Sequence, residues 1–155
     1  MRVAIGADHA GFELKETIKQ TLDELQIAYK DFGTFSDDSV DYPDYAAKVG
    51  RAVAAGEFDR GILVCGTGIG MAIAANKIAG VRAAPVVDLE SARLARSHNN
   101  ANVLAIGARV TAPERALDLV RTFFKTDFEG GRHERRLQKV AALEQGVPAA
   151  TKTSA

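Results

Sequence analysis

The chain has 155 residues, 46% of them hydrophobic and 26% charged, the balance of an ordinary globular domain rather than of a disordered or collagen-like chain. Twenty Lys and Arg against twenty Asp and Glu give a formal net charge of zero, so no overall positive field exists to hold a nucleic acid or an anionic membrane, and anion binding has to be local. A single cysteine, Cys65, excludes an intramolecular disulfide framework and a Cys-rich metal site; with no secretion signal and no apolar run of about 18 residues, the expected location is the cytoplasm.

Along the chain, an apolar run at 3–7 predicts a first strand, and Leu14, Ile18, Leu22 and Leu25 then form one stripe of a helix. A second strand is predicted at 28–32, followed by a polar loop over 33–41. A helix starts near Pro43, which suits a first-turn position, and carries Tyr45, Val49 and Val53 on one side. The run at 61–65 predicts a third strand, and a helix begins in the GTGIG segment at 66–70 and continues through MAIAANK. Strands at 83–87 and 103–106 alternate with helices in SARLARSH and PERALDLVRTFF. After a break at Glu129, Gly130 and Gly131, RHERRLQKVAALEQ has the composition of a further helix.

Strands and helices that alternate in this way, with little polar alternation in ILVC and VLAI, predict an α/β fold with a parallel sheet covered on both faces. The expected architecture is a three-layer αβα sandwich around a Rossmann-like five-stranded parallel sheet of order 2-1-3-4-5, with right-handed crossovers and an extra C-terminal helix. Residues 1–145 form one domain, and the small and polar residues 146–155 are expected to be a disordered tail.

In such a sheet ligands bind beyond the carboxyl ends of the strands, where successive connections leave for opposite faces. That crevice lies between the first and third strands, which end in Asp8-His9 and in Cys65-Gly66-Thr67-Gly68-Ile69-Gly70. Taken singly, Asp8 reads equally as a helix cap and His9 as a turn residue, and a thiol like Cys65 at the end of an apolar strand is more often an inert core group. Their coincidence at one crevice is what points to function. The GTGIG turn offers backbone N–H groups to a negative charge, and the same helix start favours a thiolate. Walker A and the dinucleotide pattern both fail at Met71, as does the arginine of a low-molecular-weight phosphatase. A thiolate-capable group beside an oxyanion-stabilising turn suits proton abstraction next to a carbonyl. Separately, Arg132 and Arg136 lie four apart on one helical face, where two guanidiniums can grip one phosphate; for a bare charge run, a solvated surface is the commoner reading.

GADHAGFELK, DYPDYA, ILVCGTGIGMAIAANK, ARSHNNANVLAIGAR and EGGRHERR, in that order, resemble the B-type ribose-5-phosphate isomerases, a family shared with allose- and galactose-6-phosphate isomerases. The resemblance runs from Met1 to about Gln145. It implies an aldose–ketose isomerase working on a phosphorylated pentose through a cis-enediol, without metal or organic cofactor. On that resemblance Cys65 matches the base, the 66–70 amides (Gly66, Thr67, Gly68, Ile69, Gly70) hold the enediolate oxygens with help from Thr67, and His98 matches the group that opens the sugar ring, with Asp8 at the anomeric hydroxyl. His9, Arg132 and Arg136 match phosphate contacts, Arg109 a further binding position, Asn99 a hydroxyl contact and Tyr42 an aromatic wall. Asn100 stands where the family often has Asp, and 84–90 matches no version tied to one sugar. Position 74 is Ala, where relatives without the cysteine carry a carboxylate base.

Independently of the resemblance, a helix that runs back across the sheet puts His98 at the amino ends of the strands, far from Cys65 of the same chain. A site shared between two subunits is therefore expected, with a homodimer as the smallest competent unit, a tetramer also being open, and the chain supplying the arginines undecided. The expected partner is a phosphorylated aldose or ketose. A sister isomerase of four- or six-carbon sugar phosphates and a non-catalytic phosphosugar-binding module are the alternatives.

Overall fold

The computed structural model of the chain describes residues 1–146; the tail expected to be disordered lies, from residue 147 onward, outside the described residues. Five strands, β1 (Arg2–Ala7), β2 (Ala28–Asp31), β3 (Arg60–Cys65), β4 (Ala83–Pro85) and β5 (Val103–Gly107), alternate with α1 (Phe12–Glu24), α2 (Tyr42–Ala54), α3 (Ile69–Ala75) and α4 (Leu89–Ser97), and α5 (Pro113–Lys125) and α6 (Arg132–Glu144) follow. Pro43 sits in the first turn of α2, where its missing N–H costs no hydrogen bond.

The sheet is entirely parallel, as expected, but its order is β2-β1-β3-β5-β4, so the last two strands of the expected 2-1-3-4-5 order are exchanged. The physical reason lies in the two sequences. All five residues of β5 (VLAIG) are buried, and Val103 pairs with Gly61 on one side and Ala83 on the other. β4 is three residues long and ends in Pro85, which has no N–H for a further neighbour and is suited to an edge.

The chain leaves β1 toward one edge and β3 toward the other, and right-handed crossovers then place α1 and α4 on one face and α2 and α3 on the opposite one. On the first face Ile18 and Leu22 of α1, Ala92 of α4 and Leu119 and Phe123 of α5 pack on Ile5, Ile62, Val64 and Ile106. On the second face Val49 and Val53 of α2 and Met71 and Ala75 of α3 pack on Ala4, Leu63, Cys65 and Ala105. The strand exchange leaves the reversal point between β1 and β3 untouched.

Two further features position the site. Lys15 of α1 is fully buried and ion-pairs with Asp31 at the end of β2, whose other oxygen accepts the Gly33 N–H at 2.8 Å. The loop after β2 is thereby held against β1, with Gly33 and Thr34 exchanging backbone hydrogen bonds with Ala7 at 2.7 and 2.8 Å. At the other edge, α6 stands over a cavity of about 560 Å³ lined by Ala84, Pro85, Asn99, Leu137, Val140 and Leu143.

Candidate active site

The crevice between the carboxyl ends of β1 and β3 is built largely from backbone. Asp8 donates its N–H to the Val64 carbonyl at 3.1 Å, and its buried carboxylate accepts the Gly11 N–H at 3.1 Å. Asp8 thus fixes the turn into α1 and lies at the crevice. His9 accepts the Val40 N–H on Nδ1 at 3.1 Å, which makes Nδ1 its lone-pair nitrogen and leaves Nε2–H as the donor.

Cys65 ends β3 with 5% of its surface exposed, and its Sγ accepts the Gly68 N–H at 3.2 Å. The turn closes this tightly because Gly68 has φ 79°, a left-handed conformation in which a side chain would also meet the Ile106 backbone at 3.1 Å. Gly107 is equally constrained, since a Cβ there would lie 2.4 Å from the Thr67 carbonyl carbon. Thr67 and Ile69 face outward, and the Thr67 hydroxyl accepts the Ile69 N–H at 3.3 Å. Tyr42, at the start of α2, packs its ring on Gly70, and the Arg109 guanidinium lies over Gly66, whose carbonyl accepts the Arg109 N–H at 2.9 Å. Asp8, His9, Tyr42, Cys65, the 66–70 turn and Arg109 therefore form one constellation.

The remaining candidates form a second constellation at the opposite end of the sheet. His98 caps the C-terminus of α4, and the next residues lead directly into the amino edge, where the Asn102 carbonyl accepts the Gly61 N–H at 2.8 Å. Arg132 and Arg136 are exposed on the first two turns of α6, beside His133, whose ring stacks on His98 at 4.1 Å. Asn99, the residue after His98, is exposed. Asn100 has φ 44° and its amide oxygen accepts Arg96 Nη1 at 2.9 Å, so it ends the helix and faces the protein. Arg96 itself is buried, its pKa pushed down to about 10 by burial and then by Arg60 and Arg82, and it ties this turn to the Ala101 carbonyl at 2.7 Å.

Two side chains at this second end escaped the sequence reading of the site. Glu129 places its carboxylate 3.9 Å from His98 Nε2 and 3.7 Å from His133 Nε2. The only signal for them is the spacing of Glu129 and His133 by one helical turn in EGGRHERR, which does not indicate that both face His98.

A thiol held by an amide-lined turn at the switch point of a doubly wound sheet defines an α/β enzyme, and its relatives set it among the isomerases. The chain belongs to the Ribose/Galactose Isomerase family, whose model matches residues 3–140. It is 48% identical over 144 residues to the ribose-5-phosphate isomerase B of Escherichia coli, covering 93% of this chain and 97% of that one. It is also 41% identical over 145 residues to a D-erythrulose-4-phosphate isomerase of Pectobacterium atrosepticum, covering 93% and 95%. Among solved structures, the ribose-5-phosphate isomerase B of Clostridium thermocellum matches with a TM-score of 0.93 at 48% identity, covering 94% of this chain and 98% of that one.

Proposed function

We propose that the chain interconverts D-ribose 5-phosphate and D-ribulose 5-phosphate through a cis-enediol, in a homodimer whose two sites each take residues from both subunits. The observation that carries this reading is the Gly68 N–H on Cys65 Sγ, a base and an oxyanion-binding turn joined in one structure.

The furanose form of the aldose is opened first: His98 gives a proton to the ring oxygen while Asp8 accepts the proton of the anomeric hydroxyl, freeing the C1 carbonyl. Cys65, as thiolate, removes the C2 proton. The C2–H electron pair becomes the C1=C2 bond, and the carbonyl electrons move onto O1, where the 66–70 amides and Thr67 meet the negative charge. Proton exchange between the two oxygens and return of the proton from Cys65 to C1 yield the ketose. Tyr42 and Asn99 line the sugar, and His9, Arg109, Arg132 and Arg136 take the phosphate.

Distance supports the dimer. Cys65 ends β3, while His98 lies toward the amino edge where that strand begins, and a six-residue strand spans about 17 Å, more than the length of one pentose. Arg132 and Arg136 lie beside His98, so they enter the partner's crevice together with it, while His9 and Arg109 are supplied by the chain that supplies Cys65.

The 41% identical D-erythrulose-4-phosphate isomerase makes a four-carbon substrate the specific alternative. A panel of four-, five- and six-carbon aldose phosphates tests the assignment: kcat/KM is expected to be highest for ribose 5-phosphate, and a higher value for another member reassigns the sugar without altering the chemistry.

A further inference from the structure

Beneath His98 lies a small polar assembly that the reaction as described does not use. His133 is 5% exposed, and its Nε2 is buried with no hydrogen-bond partner among the described residues. Its ring lies 14° from parallel with that of His98, at 4.1 Å between centroids. The Glu129 carboxylate, half-exposed, turns one oxygen toward each Nε2, and its backbone N–H is fixed to the Ser97 carbonyl, one residue before His98, at 3.0 Å. Two imidazoles and a carboxylate could hold a divalent ion, but nearly parallel stacked rings cannot aim their in-plane lone pairs at one point, so an ion between them would sit well out of both ring planes. The geometry suits a different task.

Resting on the proposed role of His98, we infer that His133 and Glu129 are its positioning residues: His133 is the platform that sets the plane of the His98 ring, and Glu129 is the carboxylate that holds the proton-bearing edge of that ring. His98 side-chain exposure of 37% leaves the imidazole free to swing unless something restrains it, and proton transfer to a sugar oxygen tolerates little angular error. Burial, then the neighbouring His98, then Arg132 hold the His133 pKa below the ordinary histidine value, with Glu129 opposing. The other charges around the assembly are Arg136 on α6 and Glu90 and Arg93 on α4, the last two already paired with each other at 2.6 Å.

The test separates ring opening from enediol chemistry. Ribulose 5-phosphate is open-chain, because the hydroxyl that would close a five-membered ring carries the phosphate, so exchange of its C1 hydrogen with D2O needs Cys65 but not ring opening. For Glu129→Gln, kcat from ribose 5-phosphate is expected to fall about ten- to a hundred-fold with KM little changed, while C1 exchange of ribulose 5-phosphate stays within about two-fold. His133→Phe, which keeps the stack, is expected to retain more of the ribose 5-phosphate turnover than His133→Ala. Unchanged turnover in Glu129→Gln, or an equal loss in turnover and exchange, overturns the positioning role. His98→Asn run alongside keeps the two readings apart. If it too loses turnover and exchange equally, the role of His98 itself fails; if it loses turnover alone while Glu129→Gln loses nothing, only the positioning role fails.

Discussion

Cys65 ends β3 at the carboxyl edge of the sheet, whereas His98 caps α4 at the amino edge, beside the residues that lead into the start of the same strand. The two groups that the proposed reaction brings to one sugar are thus at opposite edges of the sheet in a single chain. The proposed dimer answers this separation by bringing a second copy against the crevice.

Complementation follows directly. With the proposed shared site, neither Cys65→Ala nor His98→Asn homodimers would contain an intact site, but a hybrid dimer would contain one, formed by Cys65 of one chain and His98 of the other. Equimolar subunits mixed under exchange are expected to recover about a quarter of the wild-type activity, since half the dimers are hybrids and half their sites are whole. Activity is read after hybrid formation has been verified by mass spectrometry, and its absence then argues against a shared site.

On the proposed mechanism His98 is needed for the cyclic substrate alone. In His98→Asn, turnover of ribose 5-phosphate is expected to drop by about a hundred-fold or more, with solvent exchange at C1 of ribulose 5-phosphate near the wild-type rate. NMR in D2O measures both on one sample.

Gly107 supports the 66–70 turn from behind. A methyl group there meets the Thr67 backbone at 2.4 Å, so Gly107→Ala must displace the 66–70 turn or β5. The expected result is a loss of about 1–3 kcal/mol in unfolding free energy and a fall in kcat of about a hundred-fold, measured by denaturant titration and steady-state assay.

Acid should loosen the loop that supports His9. Burial raises the Asp31 pKa, but the ammonium groups of Lys15 and Lys19 and the Gly33 N–H outweigh it and leave the carboxyl below its ordinary value. A lowered folded-state pKa contributes stability that is present above the unfolded value of about 4 and is lost as pH falls through the folded one. Denaturant midpoints are therefore expected to decline below about pH 4 more steeply in the wild type than in Asp31→Asn, and equal slopes would count against the ion pair.

The alternation of apolar runs with helical stripes made the layers legible, and the Asp8 and Cys65 turns marked the crevice because topology alone decides where two parallel strands diverge. Which of β4 and β5 lies at the edge depends on small differences in length and on a single proline, and strand order cannot be obtained from periodicity when both runs are short. The departure at Asn100 has a local reason: it occupies a left-handed helix end, a conformation that Asn and Asp both tolerate, and its side chain binds Arg96 away from the crevice. Glu129 and His133 escaped because their meeting with His98 depends on how the α5–α6 connection docks on the end of α4, which no spacing within either segment encodes.

The most direct measurement is hydrogen exchange at C1 of ribulose 5-phosphate by the Cys65→Ala protein. With the thiol removed and the ketose already open, exchange is expected to fall by about a thousand-fold or more while binding of the phosphosugar by calorimetry stays within a few-fold of wild type. Exchange that continues at the wild-type rate would show that another group takes the proton.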